Sequence, residues 1–154
     1  MLKTLLTSAI ALSALSLSVP TYSAEQPFAI AIHGGAGTIE KSRFTAEQEK
    51  AYRAKLKEAV ETGYTVLEKG GESLDAITAA INVLENSPFF NAGRGAVYSY
   101  DGAHELDASI MDGRNRQAGA VAGIKHIENP INLARLVMEK SVHVMLSGQG
   151  AEDF

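Results

Sequence analysis

The sequence predicts an α+β fold, and three observations carry that prediction. Apolar residues recur at helical spacing in two successive stretches, from Tyr52 to Leu67 and from Leu74 to Leu84. Two apolar runs, Leu106–Met111 and Ala118–Ile124, flank the turn Asp112-Gly113-Arg114-Asn115 as a hairpin would. Helical and strand patterns also come in groups rather than in strict alternation, which favours segregated layers over a doubly wound parallel sheet.

The elements follow in order. Residues 1–24 read as an export signal: Lys3 gives the positive start, Leu5 to Val19 is apolar but diluted with Ser and Thr, and Pro20 precedes small residues suited to cleavage. The run is too short and too serine-rich for a membrane anchor, so an exported, periplasmic or secreted, protein beginning near residue 25 is expected. Phe28–Ile32 reads as a buried strand that ends in the glycine loop His33-Gly34-Gly35-Ala36-Gly37. Thr45 and Gln48 form a capping box for the first helix, whose apolar face is Tyr52, Leu56, Ala59, Val60, Gly63, Val66 and Leu67, closed by Gly70-Gly71. Ser73 is the expected cap of the second helix, with Leu74, Ile77, Ile81 and Leu84 inward and Asn86-Ser87-Pro88 as the stop. A short strand at Ala96–Tyr98 and the hairpin follow. The second hairpin strand is built of small residues, so another layer can approach it closely. A third helix is expected from Pro130 to Ser141 with Leu133, Leu136 and Val137 inward. Val142–Leu146 is the last strand, and Ser147-Gly148-Gln149-Gly150 turns into a new helix. The chain stops at Phe154 as that element starts, which reads as the N-terminal piece of a longer protein.

Bulk properties remove several function classes. The 154 residues carry 14 Lys and Arg against 18 Asp and Glu, a formal charge of −4 with no basic block, so nucleic acid is not an expected partner. With no cysteine, disulfides, zinc–thiolate sites and a thiol nucleophile are excluded. His33, His104, His126 and His143 are scattered, without the spacing of a His-based metal site. Glu105 and Asp107 share one face of an extended segment and could form an acid/base pair, but Asp107 and Asp112 are better read as hydrogen-bonding to backbone N–H groups at strand ends and turns.

Three segments remain. The loop His33–Gly37 exposes backbone N–H groups at a strand end. Asn91-Ala92-Gly93-Arg94-Gly95 can fold its carbonyls inward, which suits a hard cation such as Na⁺, or can be a plain connection. His104–Gly113 leads into the small-residue strand. The H-G-G-x-G pattern also occurs in α/β-hydrolase esterases, where it forms an oxyanion loop, but their G-x-S-x-G elbow is not found in the sequence.

In combination and order, the segments Ala31–Gly37, Leu84–Tyr98, His104–Gly123 and Asn129–Phe154 resemble the plant-type L-asparaginases, or isoaspartyl peptidases, of the N-terminal-nucleophile hydrolases. Glycosylasparaginases share only something like Leu106–Gly113. The resemblance implies a four-layer αββα sandwich of which residues 25–154 are the α-subunit half. It implies a precursor that cuts itself before a threonine, whose hydroxyl then hydrolyses L-asparagine and β-aspartyl peptides. It also implies a β subunit with that threonine and an (αβ)₂ dimer. No catalytic cofactor is implied. Asn91 is implied to hydrogen-bond near the nucleophile, and Gly34, Gly35 and Gly37 to support the active-site strand. The backbone carbonyls of Leu84, Glu85, Ser87, Phe90, Ala92 and Arg94 are implied to hold a structural Na⁺. None of Thr38, Thr45, Thr62, Thr65 and Thr78 suits the nucleophile, so this stretch alone is expected to be inert. The alternatives are an α/β-hydrolase-type esterase with its serine elsewhere, or an inactive truncated remnant.

Overall fold

Local chemistry places each helix of the chain. The computed structural model describes residues 27–36 and 40–154. The expected signal segment and Gly37 lie outside the described residues. Helix α1 (Ala46–Glu68) starts at the predicted capping box: the Thr45 hydroxyl accepts from Gln48 N–H at 3.1 Å, and the Gln48 side chain accepts from Thr45 N–H at 2.9 Å. It ends with Gly70 N–H donating to Leu67 O and Gly71 N–H to Val66 O, the paired bonds that close a helix through a left-handed residue. Helix α2 (Ser73–Glu85) lies against α1, with Gly63 of α1 seated on Ala76 and Ala80 of α2.

Strands β1 (Leu106–Met111) and β2 (Ala118–Ile124) form the expected antiparallel hairpin, and β3 (Met145–Ser147) joins β2 in parallel, giving the order β1-β2-β3. Helix α3 (Pro130–Lys140) covers one face of this sheet, and the short α4 (Gly148–Asp153) packs on β2 and β3. The main core lies between that face, α3 and α2: Leu74, Leu106, Ile110, Val121, Ile131 and Val137 are all buried there. Burial of apolar surface in this layer is the main stabilising term. The other face, with Asp107, Ser109 and Met111 from β1 and Met145 from β3, is exposed.

The pairing carries one β-bulge. Leu106 faces Ile124 but Ala108 faces Val121, so β2 holds an extra residue at that point. Gly123 takes φ +64° there, and the Asp107 carboxylate accepts its N–H at 3.0 Å, satisfying a donor the ladder leaves free. At the hairpin turn Asp112 accepts from Arg114 N–H at 2.9 Å and pairs with its guanidinium, which holds the Asp112 carboxyl below its ordinary value. Both aspartates act on backbone as the sequence suggests.

Several expectations are corrected. Phe28–Ile32 is not a strand but an unpaired segment, since no other strand of the described residues lies beside it. Ala96–Tyr98 is reduced to a single bridge between Tyr98 and His104. Ser73 is the first helical residue rather than the cap; Glu72 occupies the cap position without a side-chain bond. Leu136 points outward, 39% exposed, because Leu133, Ala134 and Val137 already fill the contact with the sheet. The last strand starts at Met145, with Val142 and Val144 exposed before it, although Val144 O accepts from Ala120 N–H. Among the described residues no helix is long and apolar enough to cross a membrane.

Candidate functional site

The glycine loop, the asparagine turn and the outer face of β1 meet at one cleft of about 290 Å³. His33, Gly34, Gly35, Asn91, Asp107 and Ser109 line it, with Leu84, Glu85, Phe90 and Ala92 beneath. Two of the three segments singled out in the sequence therefore converge with part of the third.

Aromatic packing sets the position of the asparagine turn. Tyr52 of α1 stands between Phe44 on one side and Phe89 and Phe90 on the other, with ring centroids 4.8–5.8 Å apart. Phe90 is buried, and both it and Leu56 lie against the backbone of Gly34. The loop before it is held by Gly35 N–H, which donates to His33 Nδ1 at 3.2 Å. Asn91 is exposed into the cleft, and its Oδ1 accepts from Val97 N–H at 3.0 Å. Its amide nitrogen remains a donor for a bound group.

The segment from Leu84 to Gly95 turns on its two glycines. Gly93 has φ +50°, and a Cβ there would overlap the Glu85 carbonyl oxygen. A Cβ on Gly95 would overlap the Phe90 carbonyl oxygen and come within 2.9 Å of that of Ser87. Three carbonyl oxygens thus crowd onto the Gly93–Gly95 backbone at a spacing only glycine allows. Leu84 O accepts from Ser87 N–H at 3.1 Å, Phe90 O from Ala92 N–H at 2.8 Å, and Ala92 O from Gly95 N–H at 3.0 Å. The Phe90 and Ala92 carbonyls each keep a second lone pair. Arg94 contributes an exposed side chain.

Glu85 lies at the junction of this turn with α3. Only 3% exposed, its carboxylate accepts from Asn129 Nδ2–H and from Ile131 N–H, both at 3.0 Å. Burial pushes the carboxyl above its ordinary value against the lowering effect of those two bonds. Asn129 also donates to Asn86 Oδ1 at 3.2 Å.

Sequence reasoning names Asp107 as a backbone acceptor and Glu85 by its carbonyl, and leaves the cleft positions of Asp107 and Ser109 and the burial of the Glu85 carboxylate unassigned. Asp107 and Ser109 reach the cleft because they alternate with the buried Leu106 and Ile110 and the half-buried Ala108, a period-two signal the sequence does carry. The burial of Glu85 had one sign, an acidic residue in the last turn of a helix, where the dipole disfavours it and a compensating partner is called for. Glu105, by contrast, is exposed and pairs with Lys125 at 3.0 Å, away from the cleft. Among the described residues no three His, Asp or Glu side chains group as a metal site would need.

Residues 25–154 match the family model described as asparaginase. The chain is 54% identical over 125 residues to an isoaspartyl peptidase of Salmonella typhimurium, covering 81% of this chain and 40% of that protein. It is 54% identical over 125 residues to one of Escherichia coli, covering 81% and 39%. It is 52% identical over 126 residues to a plant-type L-asparaginase of Pyrococcus horikoshii, covering 82% and 40%. The chain spans about two fifths of the length of these curated relatives. With the glycine loop, the asparagine turn and the hairpin all inside the matched span, the chain belongs to the asparaginase family.

Proposed function

We propose that the full-length gene product is an exported amide hydrolase acting on L-asparagine and on β-aspartyl peptides through an N-terminal threonine. The family match over residues 25–154, a span containing the whole cleft, carries this reading. The relatives' names supply the substrate class, and of the two chemistries open to an H-G-G-x-G loop the match falls on the amidase.

The threonine belongs to the part of the protein that follows residues 25–154 and is freed by self-cleavage. Its hydroxyl oxygen attacks the side-chain amide carbon of asparagine, or the isoaspartyl peptide carbon, while its own α-amine takes the hydroxyl proton. The tetrahedral oxyanion needs preorganised donors. Its collapse expels ammonia or the leaving amine, which carries off the proton, and leaves an aspartyl ester on the threonine. Water then hydrolyses that ester, releasing aspartate and restoring the hydroxyl. Asn91 is the group of this chain best set to hydrogen-bond at that reaction centre, since its amide faces the cleft and its oxygen is tied to Val97. Gly34 holds the cleft wall on Leu56 and Phe90, and Gly35 N–H donates to His33 Nδ1.

The Leu84–Arg94 turn fits a structural Na⁺. Hard cations take carbonyl oxygens, and the crowded carbonyls of Glu85, Ser87 and Phe90 at Gly93 and Gly95 are donors of that kind. Leu84, Glu85, Ser87, Phe90, Ala92 and Arg94 would hold the ion by backbone. When bound it supplies rigidity to the turn carrying Asn91 and takes no part in bond making.

In this reading the exposed sheet face receives a second sheet from the β subunit, completing an αββα sandwich within an (αβ)₂ dimer, and residues 1–24 direct export to the periplasm or beyond. The test is direct. Purified full-length product is expected to run as two chains, the second beginning with threonine by N-terminal sequencing, and to release aspartate from L-asparagine and a β-aspartyl dipeptide. An uncut product that liberates no aspartate from either substrate overturns the reading.

A further inference from the structure

Glu85 presents two different groups to two different neighbours. Its carbonyl oxygen is one of those crowding the Gly93–Gly95 backbone, and its carboxylate, 3% exposed, reaches Asn129 and Ile131 at the start of α3. Both of those donors are neutral. Among the described residues no Lys, Arg or His forms an ion pair with it, although the chain pairs many of its other acids: Glu58 with Lys55, Glu105 with Lys125, Asp112 with Arg114 and Asp75 with Arg135. A buried carboxylate left with neutral donors alone carries a large desolvation cost. Within residues 84–95 the charged side chains are Glu85 and Arg94, and Arg94 is exposed to solvent.

We propose that the Glu85 carboxylate is the counter-charge of the carbonyl turn: it does not touch the cation, but supplies the negative charge that an all-carbonyl cradle lacks. This rests on the cation-binding reading of the turn given above and adds a named determinant of its affinity. Carbonyl oxygens alone are dipoles, and the affinity of a hard-cation site rises with the formal charge around it. Here that charge sits one side chain away from a carbonyl of the cradle, buried where screening is weaker than at the surface. The same carboxylate binds the first turn of α3, so cation binding and the docking of α3 on the sheet share one residue. Loss of the ion would leave the carboxylate uncompensated and loosen both.

The experiment uses the full-length product dialysed into choline chloride and titrated with NaCl at constant ionic strength, followed by thermal melting and by ²³Na linewidth. The unmodified protein is expected to show a saturable rise in Tm with Na⁺. Glu85→Gln, nearly the same shape without the charge, is expected to bind Na⁺ about tenfold more weakly or worse. Asn129→Ala is expected to lower Tm at every Na⁺ concentration yet keep the Na⁺ midpoint within about twofold, because the charge remains. If Glu85→Gln does not fold, Glu85→Asp keeps the charge while shortening the reach, and is expected to retain the Na⁺ response. A Glu85→Gln midpoint equal to the unmodified protein's, a matching loss in Asn129→Ala, or a lost response in a folded Glu85→Asp overturns the counter-charge role. An unmodified protein whose Tm and linewidth ignore Na⁺ overturns the cation-binding reading itself, a result distinct from those.

Discussion

Gly119 sits where α3 presses closest on the sheet. A Cβ there would overlap the Ala134 carbonyl oxygen and the Met138 backbone nitrogen, atoms of a helix that cannot step aside singly. Gly119→Ala is therefore expected to destabilise the full-length product by about 1–3 kcal/mol, the usual cost of overfilling a packed core. Gly113→Ala, with nothing within 4 Å, is expected to change stability by less than about 0.5 kcal/mol. Denaturant melts of both variants check this, and equal midpoints would contradict so close a helix–sheet approach. The expectation that β2 is made of small residues so that another layer can draw near is met at this residue. Glu85 had only its place in the last turn of a helix as a local sign, because its burial depends on Asn129 and Ile131, some 45 positions further along the chain.

Among the elements, α4 is fixed by one carboxylate. Glu152 accepts from Lys125 N–H, from His126 N–H at 2.9 Å and meets His126 Nδ1 at 2.8 Å, which ties the end of β2 to the last helix. Those bonds hold its carboxyl down at about 2, against 4.5 in the unfolded chain. A group with a depressed native value contributes its full stabilisation above the unfolded value and loses it as pH falls toward the native one. Hydrogen-exchange protection factors at Lys125 and His126, corrected for the pH dependence of intrinsic exchange, are expected to stay high above pH 4.5 and to fall between there and about pH 2, with Glu152→Gln abolishing that transition. An unchanged profile in the variant would remove Glu152 from the account. The helices were legible in the sequence because caps and 3.6-residue periodicity are local, as Thr45, Gln48 and Gly70 show. So was the hairpin, whose two strands lie on either side of one turn. Phe28–Ile32 was not, because an apolar run becomes a strand only where a neighbour offers its own backbone groups. In the cleft, Gly34, Gly35 and Asn91 could be read from motif, whereas Asp107 and Ser109 needed the strand's face to be known.

Across the whole molecule the layers are asymmetric. Helices cover one side of the sheet, while the other shows Met111, 54% exposed, and Met145, 55% exposed, with Tyr98 and Tyr100 on a nearby exposed turn. In the proposed enzyme a second sheet would cover these exposed apolar side chains. A polypeptide of residues 25–154 made by itself is expected to bind the dye ANS strongly and to associate on concentration, and coexpression with the remainder of the product is expected to suppress both. A monodisperse, sharply melting fragment would argue that nothing larger is required. Asp107 carries a different implication. It clamps the bulge at Gly123 and faces the cleft at the same time. A replacement at this position that lacks an acceptor for Gly123 N–H would therefore disturb the hairpin bulge as well as the cleft wall. His33 borders the same cavity but bonds within its own loop, so the cleft wall can vary there without cost to the sheet.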